Sequence, residues 1–178
     1  ERREASPMIT RTSGFVTRRG IHFEVAGRRF HFAGCNCYHL LYSESAVIRQ
    51  LLDEIRDIGA TVVRIWVFGH EASCPVERPK GEYGEAYFQR LDEILQEAAA
   101  RDLRLILVLE NYWPDYGGIR ARLEWEGLSG NEPRELAAFF RHPGCREGYR
   151  NYVRHVVTRT NGRTGLPYRE DPTILAWE

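Results

Sequence analysis

A charged residue interrupts an apolar stretch that otherwise has the length and composition of a β-strand, residues 61–68. Because successive strand residues point to opposite faces, Arg64 shares its face with Trp66, whereas Val63 and Ile65 lie on the other face. A guanidinium among apolar neighbours needs an anionic partner. Arg64 is therefore either half of a structural ion pair or a charged group that faces a site, and the stretch alone supports both interpretations.

Two carboxylates, Glu110 and Glu178, each come directly after an apolar stretch of strand length. In parallel α/β folds, side chains at the carboxyl ends of the strands point into the site. Two carboxylates in such positions could act as acid and base in a hydrolysis. They could equally hydrogen-bond nearby loops or neutralise Arg64, and their spacing does not decide between these roles.

Aromatic residues are interspersed with turn-forming residues from 111 to 118, Asn-Tyr-Trp-Pro-Asp-Tyr-Gly-Gly. Aromatic side chains beside a site are suited to stacking on flat apolar faces, including those of sugar rings. Alternatively, Trp113 and Tyr116 only anchor the loop to the protein body. A similar choice exists for Asn36 in the segment 34–38, whose amide could hydrogen-bond across a site or cap the next turn.

Several common site chemistries lack their motifs in this sequence. The six histidines show no H-E-x-x-H spacing and the four cysteines form no C-x-x-C pair, so a metal site is not expected. No glycine-rich phosphate motif and no G-x-S-x-G nucleophile motif occurs. The formal net charge of zero argues against nucleic acid as a partner, and the lack of a long apolar stretch argues against a membrane span. A single disulfide, such as Cys74 with Cys145, stays open.

The candidate residues are spread over an alternating pattern of strands and helices. Residues 1–14 are a polar tail and residues 15–178 are one domain, which begins with short antiparallel strands. Apolar spacing then predicts helices within 47–58, 88–99 and 149–157, strands at 61–68, 103–109 and 173–177, and a long loop from 110 to about 132. Ser45 is expected to cap the first helix and Gly59 to end it.

Strands that alternate with helices predict a parallel sheet built from right-handed crossovers. Four strand–helix units are half of an eight-stranded barrel, which typically needs about 250 residues. The pattern therefore predicts either a small open α/β sheet or half of a (β/α)8 barrel that is truncated in strand four.

From residue 15 onward, the chain resembles the N-terminal half of the endo-β-1,4-mannanases of glycoside hydrolase family 5. The resemblance rests on Gly-Cys-Asn-Cys-Tyr at 34–38, Val-Arg-Ile-Trp-Val-Phe at 63–68, the loop 111–118, and Asp-Pro-Thr-Ile-Leu-Ala-Trp-Glu at 171–178. It implies a (β/α)8 TIM barrel, of which this chain supplies an N-terminal hairpin and the first four strands. It also implies a retaining glycosidase that cuts β-1,4-mannan or glucomannan internally.

Retaining hydrolysis uses two carboxylates about 5 Å apart. In the family pattern both glutamates come after the position of residue 178, so the 178-residue chain is expected to be inactive alone. The resemblance implies that Arg64 is the active-site arginine, which keeps the nucleophile carboxylate ionised and oriented. We expect Glu178 to support the site by pairing with Arg64 or with a neighbouring inward group, and Glu110 only to support the loop.

Substrate contacts are implied for a set of aromatic and amide side chains near the strand ends. The residues are Trp113, Asn36, Tyr38, Tyr116 and Trp66, with Asn111 in a supporting role. The chain departs from the family pattern at Gly69–His70, where an Asp is frequent, and at Tyr112, where a second Asn is frequent. These departures concern the substrate subsites more than the fold.

The resemblance implies no cofactor and no metal, and a polysaccharide, β-mannan, as the substrate. It also implies secretion to the extracellular space, although the polar residues 1–14 contain no signal peptide. Neither nucleic acid nor membrane is expected as a partner. The alternative is a non-catalytic, carbohydrate-binding half-barrel or subunit, which a second half-barrel or a second copy of the chain could complete.

Overall fold

The computed structural model describes residues 14–79 and 81–178. The expected polar tail, apart from Gly14, lies outside these residues, and the domain boundary at residue 15 stays a prediction. The strands are β1 (Thr17–Arg19), β2 (His22–Val25), β3 (Arg28–Phe30), β4 (Gly34–Asn36), β5 (Val62–Trp66), β6 (Glu77–Arg78), β7 (Glu82–Tyr83), β8 (Arg104–Val108) and β9 (Ile174–Trp177). The helices are α1 (Ser45–Asp57), α2 (Glu85–Ala100), α3 (Gly118–Trp125), α4 (Pro133–Leu136) and α5 (Pro143–Thr158).

The N-terminal part is a three-stranded antiparallel sheet in the order β1-β2-β3. Two-residue turns join its strands, and they contain Gly20 at φ 60° and the pair Ala26 and Gly27 at φ 49° and 74°. Turns of this length favour left-handed residues because their twist then matches that of the strands. The predicted short antiparallel strands are confirmed, with three strands in place of a single hairpin.

The central element is a four-stranded parallel sheet in the order β4-β5-β8-β9. Its register aligns Asn36 with Arg64, and Arg64 with Ile106. Each connection between neighbouring strands contains a helix, as parallel strands require. The predicted parallel sheet of strand–helix units is therefore confirmed.

One face of this sheet is buried against α1, α2 and α5. Val63 and Ile65 of β5 are fully buried there, with Ile48 and Leu52 of α1 and Tyr152 of α5 in the same core. The opposite face carries Arg64 and Trp66, which are only partly buried. The two faces follow the strand alternation, so the side chains with chemical potential point away from the helices.

Two sequence-based expectations about this region are wrong. The segment 110–132 is not one loop, because α3 occupies Gly118–Trp125. Ile119 and Leu123 of α3 are buried four residues apart, but Arg122 is buried beside them and obscures the apolar period.

Ser45 does not cap α1, because Glu44 is the N-cap and the Ser45 hydroxyl donates to the Glu93 carboxylate at 2.7 Å. Gly59, at φ 85°, does follow the end of α1 as predicted.

The four cysteines, Cys35, Cys37, Cys74 and Cys145, are free thiols, so the disulfide that the sequence left open is not formed. Over residues 14–79 and 81–178, helices long and apolar enough to cross a membrane are absent.

Candidate active site

Arg64 and Glu178 form an ion pair on the sheet face that points away from the helices, which we call the inner face. The Arg64 Nε donates to Glu178 Oε2 at 2.7 Å, and Nη2 donates to Glu178 Oε1 at 2.5 Å. The third guanidinium nitrogen, Nη1, donates to Asn36 Oδ1 at 3.2 Å. The expected pairing of Glu178 with Arg64 is therefore present, and the neighbouring strand adds Asn36 to it.

The backbone places Glu178 directly after the carboxyl end of β9 and Arg64 in the middle of β5, in register with Asn36 at the end of β4. Glu178 continues β9, because its N–H donates to the Leu107 carbonyl at 2.9 Å and its carbonyl accepts from the Leu109 N–H at 2.7 Å. The hydrogen bond from Arg64 lowers the pKa of Glu178, and the same bond raises the pKa of Arg64. With 32% of the Arg64 side chain exposed, the guanidinium is oriented by its two partners but stays accessible from the inner face.

Aromatic rings form a wall next to this pair. The Trp66 ring, two residues from Arg64 on the same strand face, lies 5.0 Å from the Tyr38 ring and 5.5 Å from the Tyr116 ring. Tyr116 in turn stacks on Tyr42 at 4.5 Å, with 15° between the ring planes. The wall joins three of the predicted substrate-binding residues, Tyr38, Trp66 and Tyr116, into one packed surface.

The Trp66 indole N–H points into this packed region. It is buried and meets no hydrogen-bond acceptor among the described residues. Phe68, 5.2 Å from the Trp66 ring, extends the wall toward the buried core. The wall is therefore apolar on its inner side and partly exposed on the side of Tyr38, whose side chain is 41% exposed.

The loop 111–118 is held in a conformation that few residues adopt. Tyr116 has φ 59°, a left-handed value that costs a non-glycine residue about 1 kcal/mol, and Gly117 and Gly118 follow at 94° and 48°. A Cβ on Gly118 would lie 2.1 Å from the Trp113 carbonyl oxygen and 2.3 Å from Asn111 Oδ1. Gly118 is therefore required by the close approach of the Trp113 backbone, and Gly117 is favoured by its left-handed φ. Asn111 supports the turn by donating to the Asp115 carbonyl at 3.4 Å.

Trp113 is separated from the aromatic wall and stands at the loop tip. Its side chain is 69% exposed, and the neighbouring Tyr112 is 49% exposed. The Tyr112 hydroxyl donates to the Pro133 carbonyl at 3.3 Å and so connects the loop to the first residue of α4. Of the two roles that the sequence left open for the aromatic residues, anchoring fits Tyr116, whereas Trp113 presents its ring to solvent.

A second group of charges lies buried behind this loop, and sequence reasoning missed most of it. We call it the buried charge cluster, and it consists of His70, Glu77, Glu110 and Arg122. Arg122 donates to Glu77 at 2.6 Å and to Glu110 at 2.5 Å, and the His70 Nε2 lies 3.0 Å from Glu110. At most 7% of any of these four side chains is exposed.

The electrostatics of the buried charge cluster are dominated by burial and by Arg122. Burial opposes ionisation of Glu110, but the charges of His70 and Arg122 outweigh it and leave the pKa of Glu110 below its ordinary range. Burial raises the pKa of Glu77, and Arg122 offsets only part of that effect. The guanidinium of Arg122 also lies over the rings of Trp125, Tyr149 and Tyr152, at 5.3–5.6 Å from their centres. Loop support by Glu110, as expected, is thus one part of a larger arrangement.

A family model described as GH family 5 beta-mannosidase-like matches residues 13–178. The chain belongs to glycoside hydrolase family 5. This confirms the resemblance and, with it, the prediction that the parallel sheet is the first half of a TIM barrel.

Relatives in the family carry mannanase names. The chain is 34% identical over 173 residues to mannan endo-1,4-beta-mannosidase 1 of Arabidopsis thaliana, covering 93% of this chain and 41% of that protein. It is 36% identical over 169 residues to putative mannan endo-1,4-beta-mannosidase 9 of Oryza sativa subsp. japonica, covering 92% of this chain and 41% of that protein. The chain thus spans less than half the length of these relatives.

Solved structures agree with the family assignment. The endo-1,4-beta-mannanase of Rhizomucor miehei superposes with a TM-score of 0.81 at 30% identity, covering 93% of this chain and 47% of that chain. The endo-1,4-beta-D-mannanase of Thermotoga petrophila superposes with a TM-score of 0.76 at 35% identity, covering 84% and 44%. The roles of the family 5 site residues in this chain stay predictions, because likeness of fold does not test them.

Proposed function

We propose that the protein to which these residues belong is a retaining endo-β-1,4-mannanase that degrades mannan or glucomannan. The family membership and the mannanase names of the relatives support the reaction class. The observation that carries the proposal is the Arg64 guanidinium, fixed by Glu178 and Asn36 at the carboxyl ends of the strands beside an aromatic wall. A guanidinium oriented beside a stacking surface suits a glycosidase cleft, because it can keep a catalytic carboxylate ionised next to a bound sugar.

Arg64 is proposed to act on the nucleophile carboxylate. A nearby guanidinium lowers the pKa of a carboxyl group and so keeps it ionised for attack. Glu178 and Asn36 fix the direction of the guanidinium, while one third of the Arg64 side chain stays open to a further acceptor. Both catalytic glutamates are proposed to lie in the part of the family pattern that this chain does not span.

Sugar binding is proposed for the aromatic wall and for Trp113. The faces of pyranose rings carry C–H groups, which pack favourably on aromatic rings. Tyr38 offers a partly exposed ring at the wall, and Trp113 offers a mostly exposed ring at the loop tip. The neighbouring amides of Asn36 and Asn111 supply the polar groups of the cleft.

The proposal is tested by assaying reducing ends released from linear mannan, with cellulose as the comparison substrate. The full-length protein is expected to cut mannan, and the 178-residue chain alone is expected to be inactive. In the full-length protein, Arg64→Ala should lower kcat about a hundredfold or more, since one preorganised charge is removed. Arg64→Lys should lose less, because it keeps the charge but not the two-pronged geometry.

The matched control is Arg169→Ala, because Arg169 also forms an ion pair, with Glu170, but is 59% exposed and lies outside the site. This variant should keep full activity. Activity on cellulose in place of mannan, or full activity of Arg64→Ala, would overturn the proposal. Binding of manno-oligosaccharides by the full-length protein without any new reducing ends would favour the non-catalytic, carbohydrate-binding alternative.

We also propose that the protein acts outside the cell. The support is the proposed substrate, a polymer too large to pass a membrane, so that its cleavage must precede uptake. The test compares the amount of the protein in culture medium and in washed cells of the source organism. Retention of all of it inside intact cells would contradict secretion.

A further inference from the structure

The buried charge cluster joins four segments of the chain around the loop 111–118. His70 follows β5, Glu77 lies in β6, Glu110 follows β8 and Arg122 lies in α3. All four side chains are almost completely buried, so the proposed chemistry of the cleft does not use them directly. Burying two carboxylates and a guanidinium is expensive unless they are well paired, so the arrangement calls for an explanation beyond stability.

His70 contacts the loop directly at two points and indirectly, through Glu110, at a third. Its backbone N–H donates to the Tyr116 carbonyl at 2.9 Å. Its ring nitrogen Nε2 holds the carboxylate of Glu110, whose Oε1 also accepts from the Asn111 N–H at 3.3 Å, at the start of the loop. Its Cβ lies only 2.8 Å from the position that a Cβ on Gly117 would take. His70 therefore contacts the end of the loop directly and its beginning through Glu110.

The segment that carries His70 is itself fixed from both sides. The Tyr42 hydroxyl donates to the Phe68 carbonyl, and the Tyr152 hydroxyl donates to the Val67 carbonyl. The same Tyr42 ring stacks on Tyr116. His70 is thus attached to a rigid strand end, and it transmits the position of that strand to Tyr116.

A displacement of Tyr116 would change the proposed cleft, because its ring meets Trp66 edge-on at 5.5 Å, next to Arg64. We propose that His70 is a positioning residue: with Glu110 and Arg122 it sets the place of Tyr116 and of the loop tip, and thereby the affinity for the sugar chain. This inference rests on the proposed function for its substrate. The position of the loop is measurable whatever the substrate is.

The test measures loop protection and substrate affinity on the same variants of the full-length protein. His70→Ala should accelerate amide hydrogen exchange of Gly117 and Ile119, whose N–H groups bond to Pro114 and Asn111 within the loop. It should also raise KM for mannohexaose about tenfold with a smaller change in kcat, because the loop is misplaced rather than the reacting groups. His70→Gln keeps an N–H donor for Glu110 and should restore part of both effects.

Asp92→Asn is the matched control, because Asp92 also holds a buried ion pair, with Arg159 and with the Tyr168 hydroxyl as a further partner. It should lower stability but leave loop exchange and KM unchanged. If these two amides exchange in His70→Ala as slowly as in wild type, the inference is overturned. Faster exchange with an unchanged KM would overturn it as well.

If the wild-type protein acts on no β-1,4-glycan, the proposed function fails. Amide exchange of the loop alone then decides whether His70 positions the loop. Protection in His70→Ala that equals the wild-type protection still overturns this role. Faster exchange in His70→Ala, together with partly restored protection in His70→Gln, would support it.

Discussion

Replacing Arg122 by methionine should destabilise the full-length protein by about 3–5 kcal/mol at pH 7. Only 2% of the Arg122 side chain is exposed, and it is hydrogen-bonded to two carboxylates that are themselves buried. Methionine keeps much of the apolar contact with Trp125, Tyr149 and Tyr152 but leaves Glu77 and Glu110 without their cation. The expected destabilisation is therefore the one that follows when one partner of a buried ion pair is removed.

The cost should depend on pH in a defined direction. In the wild type, the pKa of Glu110 is below its ordinary value of 4.5, so its stabilising contribution is present at neutral pH and is lost as the pH falls through the lowered value. Without Arg122, burial acts against less opposition on Glu77 and Glu110, and both pKa values rise. The variant then takes up protons in the folded state as the pH falls from 7 to 5, which relieves its penalty. The difference from wild type should shrink over this range.

The assay is urea unfolding of wild type and Arg122→Met at pH 7 and pH 5, followed by tryptophan fluorescence. Adding Glu110→Gln to Arg122→Met should recover part of the loss at pH 7, because one unpaired buried charge is removed. A difference between variant and wild type that is the same at both pH values, or that is below about 1 kcal/mol at pH 7, would refute the conclusion that Arg122 stabilises two buried carboxylates.

Three further substitutions test the site itself. Gly118→Ala should displace the loop and weaken oligosaccharide binding, because its Cβ would lie 2.1 Å from a carbonyl oxygen. Gly127→Ala is the control for backbone strain alone, because Gly127 has φ 71° and open space around it. Isothermal titration compares the oligosaccharide affinity of the two variants. Trp113→Ala should change stability by less than about 0.5 kcal/mol but weaken mannohexaose binding about tenfold, since its ring is 69% exposed. Glu178→Gln should cost at most about 1 kcal/mol of stability, because the pair is half exposed, yet lower kcat by releasing Arg64.

The alternation of strands and helices was predictable because it is a local property of the sequence. The apolar face of β5 is set by residues two apart, and that alone placed Arg64 and Trp66 on the inner face. Pairing with Arg64 was one of the roles open to Glu178, and strand alternation together with the family resemblance favoured it. Local periodicity thus located the charged half of the candidate site.

The buried charge cluster was not predictable in the same way. Glu77 lies 45 residues before Arg122, and Glu110 lies 12 residues before it, so their contact depends on how β5, β8 and α3 pack. The two-residue strands β6 and β7 are too short to carry a periodic signal, and they place Glu77. A single clue was available, because the resemblance breaks down at Gly69–His70, which is where the chain enters the cluster.

One strand, β5, connects both parts of the candidate site. It carries Arg64 on its inner face, and its continuation carries His70 beneath the loop. A register shift of one residue would turn Arg64 toward the helices and move His70 away from Glu110 at the same time. The full burial of Val63 and Ile65 against the helical layer prevents such a shift, because it would expose them and bury the guanidinium. The apolar core of this half-barrel therefore fixes the direction of Arg64 and the place of His70 together, so both proposed roles depend on the register of β5.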